Sequence, residues 1–264
     1  MPALLAFAAA GFRRYSAYRS ANVAGAFTNT VFGVVKASIT LAAIAAAGGA
    51  IAGYDAKQGA SYAWLCQGLI ATVALFGWNE LGERIRTGDI AVDLARPVDL
   101  QLSWLASDLG RAAFMLLPRG LPPLLIGVLF FDVRLSPQPA LYALAPISIV
   151  LAVAVSFACR FLVNLVAFWL LDLRGVLTLY MVASNVLAGL IVPVHWFPAW
   201  MRVIANASPF PSMLQAPVDV LSGRDSGWQA VEAVAVQLAW LLVALGLGRV
   251  VLRRALRRLV VQGG

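Results

Sequence analysis

The stretch NELGERIRTGDIAVDLARPVDLQLSWLASDLGR, residues 79–111, is the long polar interruption between the early apolar runs of the chain. It holds six of the twelve acidic residues, together with four arginines. An Asp or Arg at the centre of a bilayer costs about 2.5–3.5 kcal/mol on insertion scales, so this stretch is predicted to face water. Its mixed signs favour a protein partner, because lipid headgroups or nucleic acid would select a single sign.

The composition around this stretch is that of an integral membrane protein. Of the 264 residues, 61% are hydrophobic and 12% are charged, whereas ordinary globular domains are about 25% charged. The apolar runs approach the ~20 residues that a spanning helix needs, which predicts an all-α membrane fold. Two cysteines and one histidine support neither a disulfide framework nor a multi-His/Cys metal site.

Six apolar runs are predicted to cross the membrane as helices within a single permease domain of residues 1–264. Residues 1–20 are predicted to form an amphipathic helix at the membrane surface. Prolines should kink the third span, and the aromatic and proline-rich residues 195–227 are predicted to form short helices that re-enter the outer leaflet. The predicted spans are residues 23–51, 61–79, 112–131, 140–163, 175–194 and 228–248, with a cytosolic loop at residues 80–111.

The distribution of basic residues predicts the orientation. With six spans, thirteen of the twenty Lys and Arg residues fall in the segments that share a side with the two termini. The positive-inside rule therefore predicts that both termini and residues 79–111 are cytoplasmic. The net charge of +8 follows from this bias without any need for a nucleic-acid partner.

The sequence carries no recognisable catalytic motif. A nucleotide-driven protein needs a phosphate-binding loop of the form GxxxxGK[ST], but the two lysines, Lys36 and Lys57, do not lie in that context. No HExxH motif is present, and the single histidine is His195. The chain is predicted not to be an enzyme, and any ATP and Mg²⁺ would have to be bound by another polypeptide.

Three segments together resemble a known family. They are ERIRTGDIAVDLARPVDLQ at 83–101, LPRGLPPLL at 117–125 and VPVHWFPAWMRVIANASPFPSMLQAPVDVLSG at 192–223. With the six-span layout, they make the chain similar to the transmembrane subunit of a type-2 ATP-binding-cassette exporter, the family of bacterial daunorubicin-type drug exporters and glycolipid exporters. The most specific part of the resemblance is the pattern (I/L)-R-x-G-(D/E)-I followed by L-x-R-P-V.

The resemblance implies that residues 83–97 carry the coupling helix that docks on an ATPase subunit. Charged side chains there would fix the docking register, and Ile85, Ile90, Val92 and Leu94 would fill a pocket on the ATPase. The alternative is a solvated loop whose charges pair among themselves. The implied coupling residues are Glu83, Arg84, Arg86, Asp89, Asp93, Arg96 and Pro97.

The resemblance also implies a translocation path between two permease subunits. Lys36 is expected near mid-membrane, where a charge is a functional candidate by default, although it can instead pair with a neighbouring helix. The other polar residues can equally hydrogen-bond adjacent helices. The candidate path residues are Asn29, Lys36, Thr40, Gln67, Thr178 and Asn185.

The sequence therefore predicts a multi-pass permease of the bacterial cytoplasmic membrane, active in multidrug or lipid-like export. Its predicted partners are a cassette ATPase dimer, a second permease subunit (identical or paralogous) and membrane lipids, with no nucleic acid. Two alternatives remain open. One is an ion-coupled secondary transporter, for which no paired mid-span carboxylates are visible; the other is a membrane scaffold that recruits a cytosolic partner.

Overall fold

The computed structural model describes residues 2–133, 135–136, 138–170 and 172–257. The predicted all-α fold is confirmed, since the named elements of these residues are all helical. The α-helices are α1 Pro2–Ser16, α2 Arg19–Ala46, α3 Ala56–Val73, α4 Glu80–Thr87, α5 Ile90–Leu94, α6 Leu100–Met115, α7 Leu121–Phe130, α8 Pro139–Leu165, α9 Arg174–Leu187, α10 Ala199–Asn206, α11 Gln215–Ser222 and α12 Trp228–Leu256.

Four helical segments of the described chain are long and apolar enough to cross a membrane. The helices at the predicted second and fifth spans are shorter: α3 has 18 residues and α9 has 14. At a rise of about 1.5 Å per residue, α9 alone is shorter than the ~30 Å hydrocarbon core, so the count of six crossings stays a prediction. The four segments are Arg19–Ala46, Leu100–Phe130, Pro139–Phe168 and Trp228–Leu256.

Helices α2 and α3 both end before the predicted spans do. Helix α2 ends at Ala46 rather than at residue 51, because Gly48 and Gly49 take positive φ angles of +85° and +103°, which stop a right-handed helix. Helix α3 ends at Val73 rather than at residue 79. Ala74 takes a left-handed conformation there, and the chain runs non-helically up to α4.

The third predicted span, 112–131, is part of a longer helix that begins at Leu100. The Asp99 side chain caps it by accepting a hydrogen bond from the Leu102 amide at 2.8 Å. A π-helical turn, Leu116–Gly120, joins α6 to α7 and contains Pro118. The wider turn accommodates the proline, which has no amide hydrogen to donate. Residues 100–111 are therefore helix, where the sequence predicted a loop.

The core is built around α3 and α8. Helices α2 and α7 and the π-helical turn pack on α3, while α6, α11 and α12 pack on α8. Two glycines make room for the fully buried Trp64 of α3: a Cβ on Gly33 would lie 2.5 Å from the indole, and one on Gly127 would lie 2.6 Å from it. Small residues at such crossings let helix backbones approach closely in lipid.

Helix α1 lies on α6. The ring of Phe12 packs edge-on against that of Phe114 with centroids 5.2 Å apart, while Leu5 remains 71% exposed. Residues 195–227 form α10, α11 and 3₁₀ turns rather than one long helix. Their insertion into the outer leaflet stays a prediction.

Candidate functional site

The candidate coupling surface, residues 83–97, is made of two short helices joined at a glycine. Gly88 closes α4 with a left-handed φ of +86°, and its amide donates to the Ile85 carbonyl. A residue with a Cβ adopts this conformation only with strain. The glycine of the I-R-T-G-D-I pattern therefore serves to turn the chain from α4 into α5.

The charges of this surface divide into an inner and an outer set. The Arg84 Nε donates to the Asp93 carboxylate at 2.6 Å, and Asp93 is only 8% exposed. This pair holds α4 against α5, so the structure removes Asp93 from the surface that a partner could touch. The outer side chains are exposed: Glu83, Arg86, Asp89, Arg96 and Pro97.

The apolar side chains of this surface are mostly used inside the chain. Ile90 is 1% exposed and packs in a cluster with Phe157 and Phe161 of α8, and Ile85 and Leu94 pack against the same cluster. The expectation that four apolar residues fill a pocket on a partner is therefore wrong for Ile90. Of the four, only Val92 is exposed, at 58%.

Helix α4 is fastened to α8 and to α1. The Asn164 side chain accepts a hydrogen bond from the Gly82 amide at 2.8 Å and donates to the Trp78 carbonyl at 3.0 Å. A Cβ at Gly82 would lie 2.7 Å from Leu173 and 3.1 Å from the Asn164 oxygen. In addition, Arg14 of α1 pairs with Glu80 at 2.8 Å. These contacts attach the candidate coupling surface directly to α8.

A buried ion triad lies next to this attachment. Asp108 accepts from the Arg111 Nε at 2.6 Å and from a terminal nitrogen of Arg160 at 2.8 Å. Arg111 also donates to the carbonyls of Ala71 and Thr72 at 2.9 and 3.0 Å, at the end of α3. The sequence predicted that residues 79–111 face water, and this is wrong for Asp108 and Arg111, which are 8% and 7% exposed. They join α6, α8 and α3.

The structure places Lys36 and Thr40 of α2 against α3, where these two helices meet. The Lys36 ammonium is buried 5.1 Å from the ring centroid of Tyr62, which is a cation–π distance. Thr40 and Gln67 are buried at 6% and 7% exposure. These three polar groups therefore pack within the chain instead of lying on its outer surface.

The remaining candidates lie at two cavities and on α9. Asn29 donates to the Arg119 carbonyl at 3.3 Å and lines a cavity of about 360 Å³. Thr178 is exposed and lines a second cavity of about 220 Å³, and the Asn185 side-chain oxygen is buried without a hydrogen-bond partner. Both cavities have the connection after α3 and Arg160 in their walls.

The family described as "ABC-2 family transporter protein" matches residues 33–263, which is most of the chain. The chain belongs to the ABC-2 transporter family. No curated protein matches it. With the four long apolar helices of the described residues, membership shows a multi-pass membrane protein of an ABC transport family.

In this ABC-2 family chain, the residues that connect the elements are not the ones that the sequence predicts as functional. The sequence predicts that Asp108 and Arg111 face water, and it indicates neither a coupling role nor a path role for Arg119 and Arg160. One signal was available: Arg119 and Arg160 interrupt apolar runs, and an ionisable residue in such a run is a functional candidate. Asn164 gave no signal of this kind.

Proposed function

We propose that this chain is the permease subunit of an ATP-binding-cassette exporter. With a second permease subunit, identical or paralogous, it forms the path for an amphiphilic drug, antibiotic or lipid-like molecule. A separate ATPase dimer supplies ATP hydrolysis, and the termini and residues 83–97 face the cytosol of a bacterial cell. The proposal rests on family membership and on the features below.

The observation that carries the proposal is the hydrogen bond between Gly82 of α4 and the fully buried Asn164 of α8. It joins an exposed, mixed-charge surface to a long apolar helix through a direct hydrogen bond of 2.8 Å, at a point where the packing leaves little room for a residue larger than Gly82. A push on α4 would then move α8 as a rigid body, which is how ATP-driven closure of a docked dimer can open a path between permeases. A scaffold that only recruits a partner has no need of this attachment.

The test of coupling uses charge reversals on the exposed part of the surface. Asp89→Arg and Arg96→Glu, made singly, should reduce co-purification of the ATPase or uncouple its hydrolysis from export, because a like charge would meet the partner's complementary group. Membrane insertion should be normal in both. Arg202→Glu on the exposed face of α10 is the matched control. Wild-type ATPase recovery and wild-type export in both variants would refute the assignment of this surface.

A second test addresses the energy source. Purified permease with its co-purified ATPase should move substrate into vesicles only with ATP, and the permease alone should move none. Transport by the permease alone along an ion gradient would instead support a secondary carrier.

The path residues are tested through Lys36, whose ammonium is buried between α2 and α3. If Lys36 lines the path, Lys36→Met should change the order in which substrates are exported. An unaltered profile with normal transport would assign Lys36 to helix packing.

A further inference from the structure

The cavity of about 360 Å³ lies where the chain leaves α3. Residues 74–79 are non-helical there, with Ala74 and Gly77 at φ angles of +53° and +88°. The departure of the backbone opens a space between α2, α6 and α8. Seven of the residues in its wall are polar or aromatic: Tyr15, Asn29, Phe76, Trp78, Arg111, Arg119 and Arg160.

The charge of this wall is unbalanced. Three guanidinium groups line it, whereas one buried carboxylate, that of Asp108, pairs with Arg111 and Arg160. Among the described residues Arg119 forms no ion pair, and its Nε is buried without a hydrogen-bond partner. Two positive charges are therefore left without a counter-charge. Because a partly desolvated cation is costly without a partner, the cavity should favour an anion.

Arg119 is also held in position for such a ligand. Its guanidinium lies over Gly25 of α2, where an added Cβ would lie 2.0 Å from the Nε atom. Glycine is the residue that leaves room for the side chain at this point. Arginine donates paired N–H groups that match the oxygen atoms of a phosphate or carboxylate.

The neighbouring cavity of about 220 Å³ supplies an apolar continuation. It shares Phe76, Gly77, Trp78 and Arg160 with the first cavity, and its further wall includes Val163, Leu177 and Met181. An anionic group near Arg119 and Arg160 would thus have apolar side chains within reach of an attached hydrocarbon. This combination favours an amphiphile over a small inorganic ion.

We propose that this cavity binds the anionic group, phosphate or carboxylate, of an amphiphile between Arg119 and Arg160. As an entry site for cargo, it deepens the proposed function and rests on it. The binding itself depends only on the geometry of this chain. The ligand is either a lipid headgroup or a soluble amphiphile, and the two share the same recognition chemistry.

The test is calorimetric titration of the purified full-length permease in lipid nanodiscs with three probes: dodecyl phosphate, dodecyltrimethylammonium and inorganic phosphate. Dodecyl phosphate should bind, and the other two should bind at least about tenfold more weakly. Arg119→Gln should weaken dodecyl phosphate binding about tenfold or more, as expected from loss of a charged hydrogen bond. Arg119→Lys keeps the charge but loses the paired N–H groups, so it should weaken binding less than Arg119→Gln does. Arg202→Gln, exposed on α10, is the control and should change nothing.

Nanodiscs of phosphatidylcholine and of phosphatidylglycerol distinguish the two sources of the ligand. At a salt concentration that screens the surface charge of the bilayer, weaker dodecyl phosphate binding in phosphatidylglycerol supports the site with a lipid headgroup in it, and equal binding supports it with a soluble amphiphile. Equal affinity for the cationic probe, or unchanged affinity in Arg119→Gln, would overturn the proposal.

If Arg119→Gln does not fold, the preference of the wild type among the three probes decides. Ion-driven transport by the permease alone would reject the proposed function, while specific binding of dodecyl phosphate would leave the site standing.

Discussion

Asp108 pairs with two buried guanidinium groups, those of Arg111 and Arg160. Desolvating three charges is expensive, and the attraction between them roughly repays this cost when the geometry is good. The triad is therefore a weak source of net stability. It is nevertheless sensitive to the loss of one member, because an uncompensated charge would then remain in the core.

The first prediction at this scale is that Asp108→Asn destabilises the permease by about 3–5 kcal/mol. Removing the carboxylate leaves both arginines buried without a counter-charge, so the apparent unfolding midpoint in detergent should fall sharply. The exposed Asp89→Asn is the control and should leave the midpoint nearly unchanged. Replacing Arg160 by Met in the Asp108→Asn background should recover part of the loss. An unchanged midpoint in Asp108→Asn would show that the triad is not buried as described.

A second carboxyl group, that of Asp225 between α11 and α12, lies where its charged form is disfavoured. Burial, with the negative charge of Asp219 adding to it, raises the pKa of Asp225 from the ordinary value of 3.8 to about 6. The charges of His195 and Arg224 lower the pKa of Asp225 by a smaller amount, and that of Glu232 raises it slightly. A carboxyl group with a raised pKa stabilises the folded state while it is protonated, and this contribution is lost as the pH rises through the folded-state pKa.

The second prediction follows from the raised pKa of Asp225. The stability of the wild-type permease should contain a component that is complete below about pH 4 and is lost as the pH rises through about 6. Asp225→Asn should remove that component and be more stable than the wild type at pH 7.5 by about 1–2 kcal/mol, which allows for partial exposure. Unfolding midpoints of both proteins from pH 4 to 8 measure the difference. Parallel pH profiles would contradict the prediction.

At the scale of elements, the contact of α1 with α6 depends on two glycines. A Cβ on Gly110 would lie 1.9 Å from the Ala8 carbonyl oxygen, and one on Gly11 would lie 2.1 Å from that of Ser107. Both obstacles are backbone atoms, so no rotation of a side chain can relieve the clash. The crossing therefore tolerates only glycine at these positions unless the helices separate.

The third prediction is that Gly110→Ala forces α1 away from α6. The lost packing should cost about 1–3 kcal/mol and expose α1 to proteases, measured by the unfolding midpoint and by limited proteolysis. Gly246→Ala in α12 is a matched control, because no atom lies within 4 Å of the added Cβ. Equal effects of the two substitutions would mean that α1 does not pack closely on α6.

At the scale of the whole molecule, the two native cysteines make the sidedness of the chain measurable. Cys66 and Cys159 are 0% and 8% exposed, so a membrane-impermeant maleimide should leave the wild-type protein unlabelled. A cysteine introduced at an exposed position then reports the side of the membrane on which that position lies.

The fourth prediction is that Glu83→Cys in α4 is labelled in inverted membrane vesicles and not in intact cells. Asn206→Cys at the end of α10 should show the opposite pattern. Both residues are exposed, and the positive-inside rule assigns them to opposite sides. Labelling of both from the same side would refute the six-span layout and the cytosolic position of residues 83–97.

Local properties of the sequence determined the helical membrane fold, the approximate positions of the long helices and the family. Hydropathy over about 20 residues decides whether a helix can cross a membrane, and the pattern around Gly88 is the most specific part of the resemblance to the family. The ends of helices were less predictable. At the end of α3, for example, Ala74 takes a left-handed conformation, which is unusual for alanine and is not predicted by its residue type.

Only the tertiary structure decided which charges are buried and what they join. Asp108 and Arg160 are 52 residues apart, and Gly82 and Asn164 are 82 apart, so no local pattern pairs them. The same residue types serve as exposed charges on α4 and as a buried triad on α6 and α8. Burial is a property of contacts between distant segments, and it is these contacts that attach the candidate coupling surface to α8 and leave Arg119 at a cavity without a counter-charge.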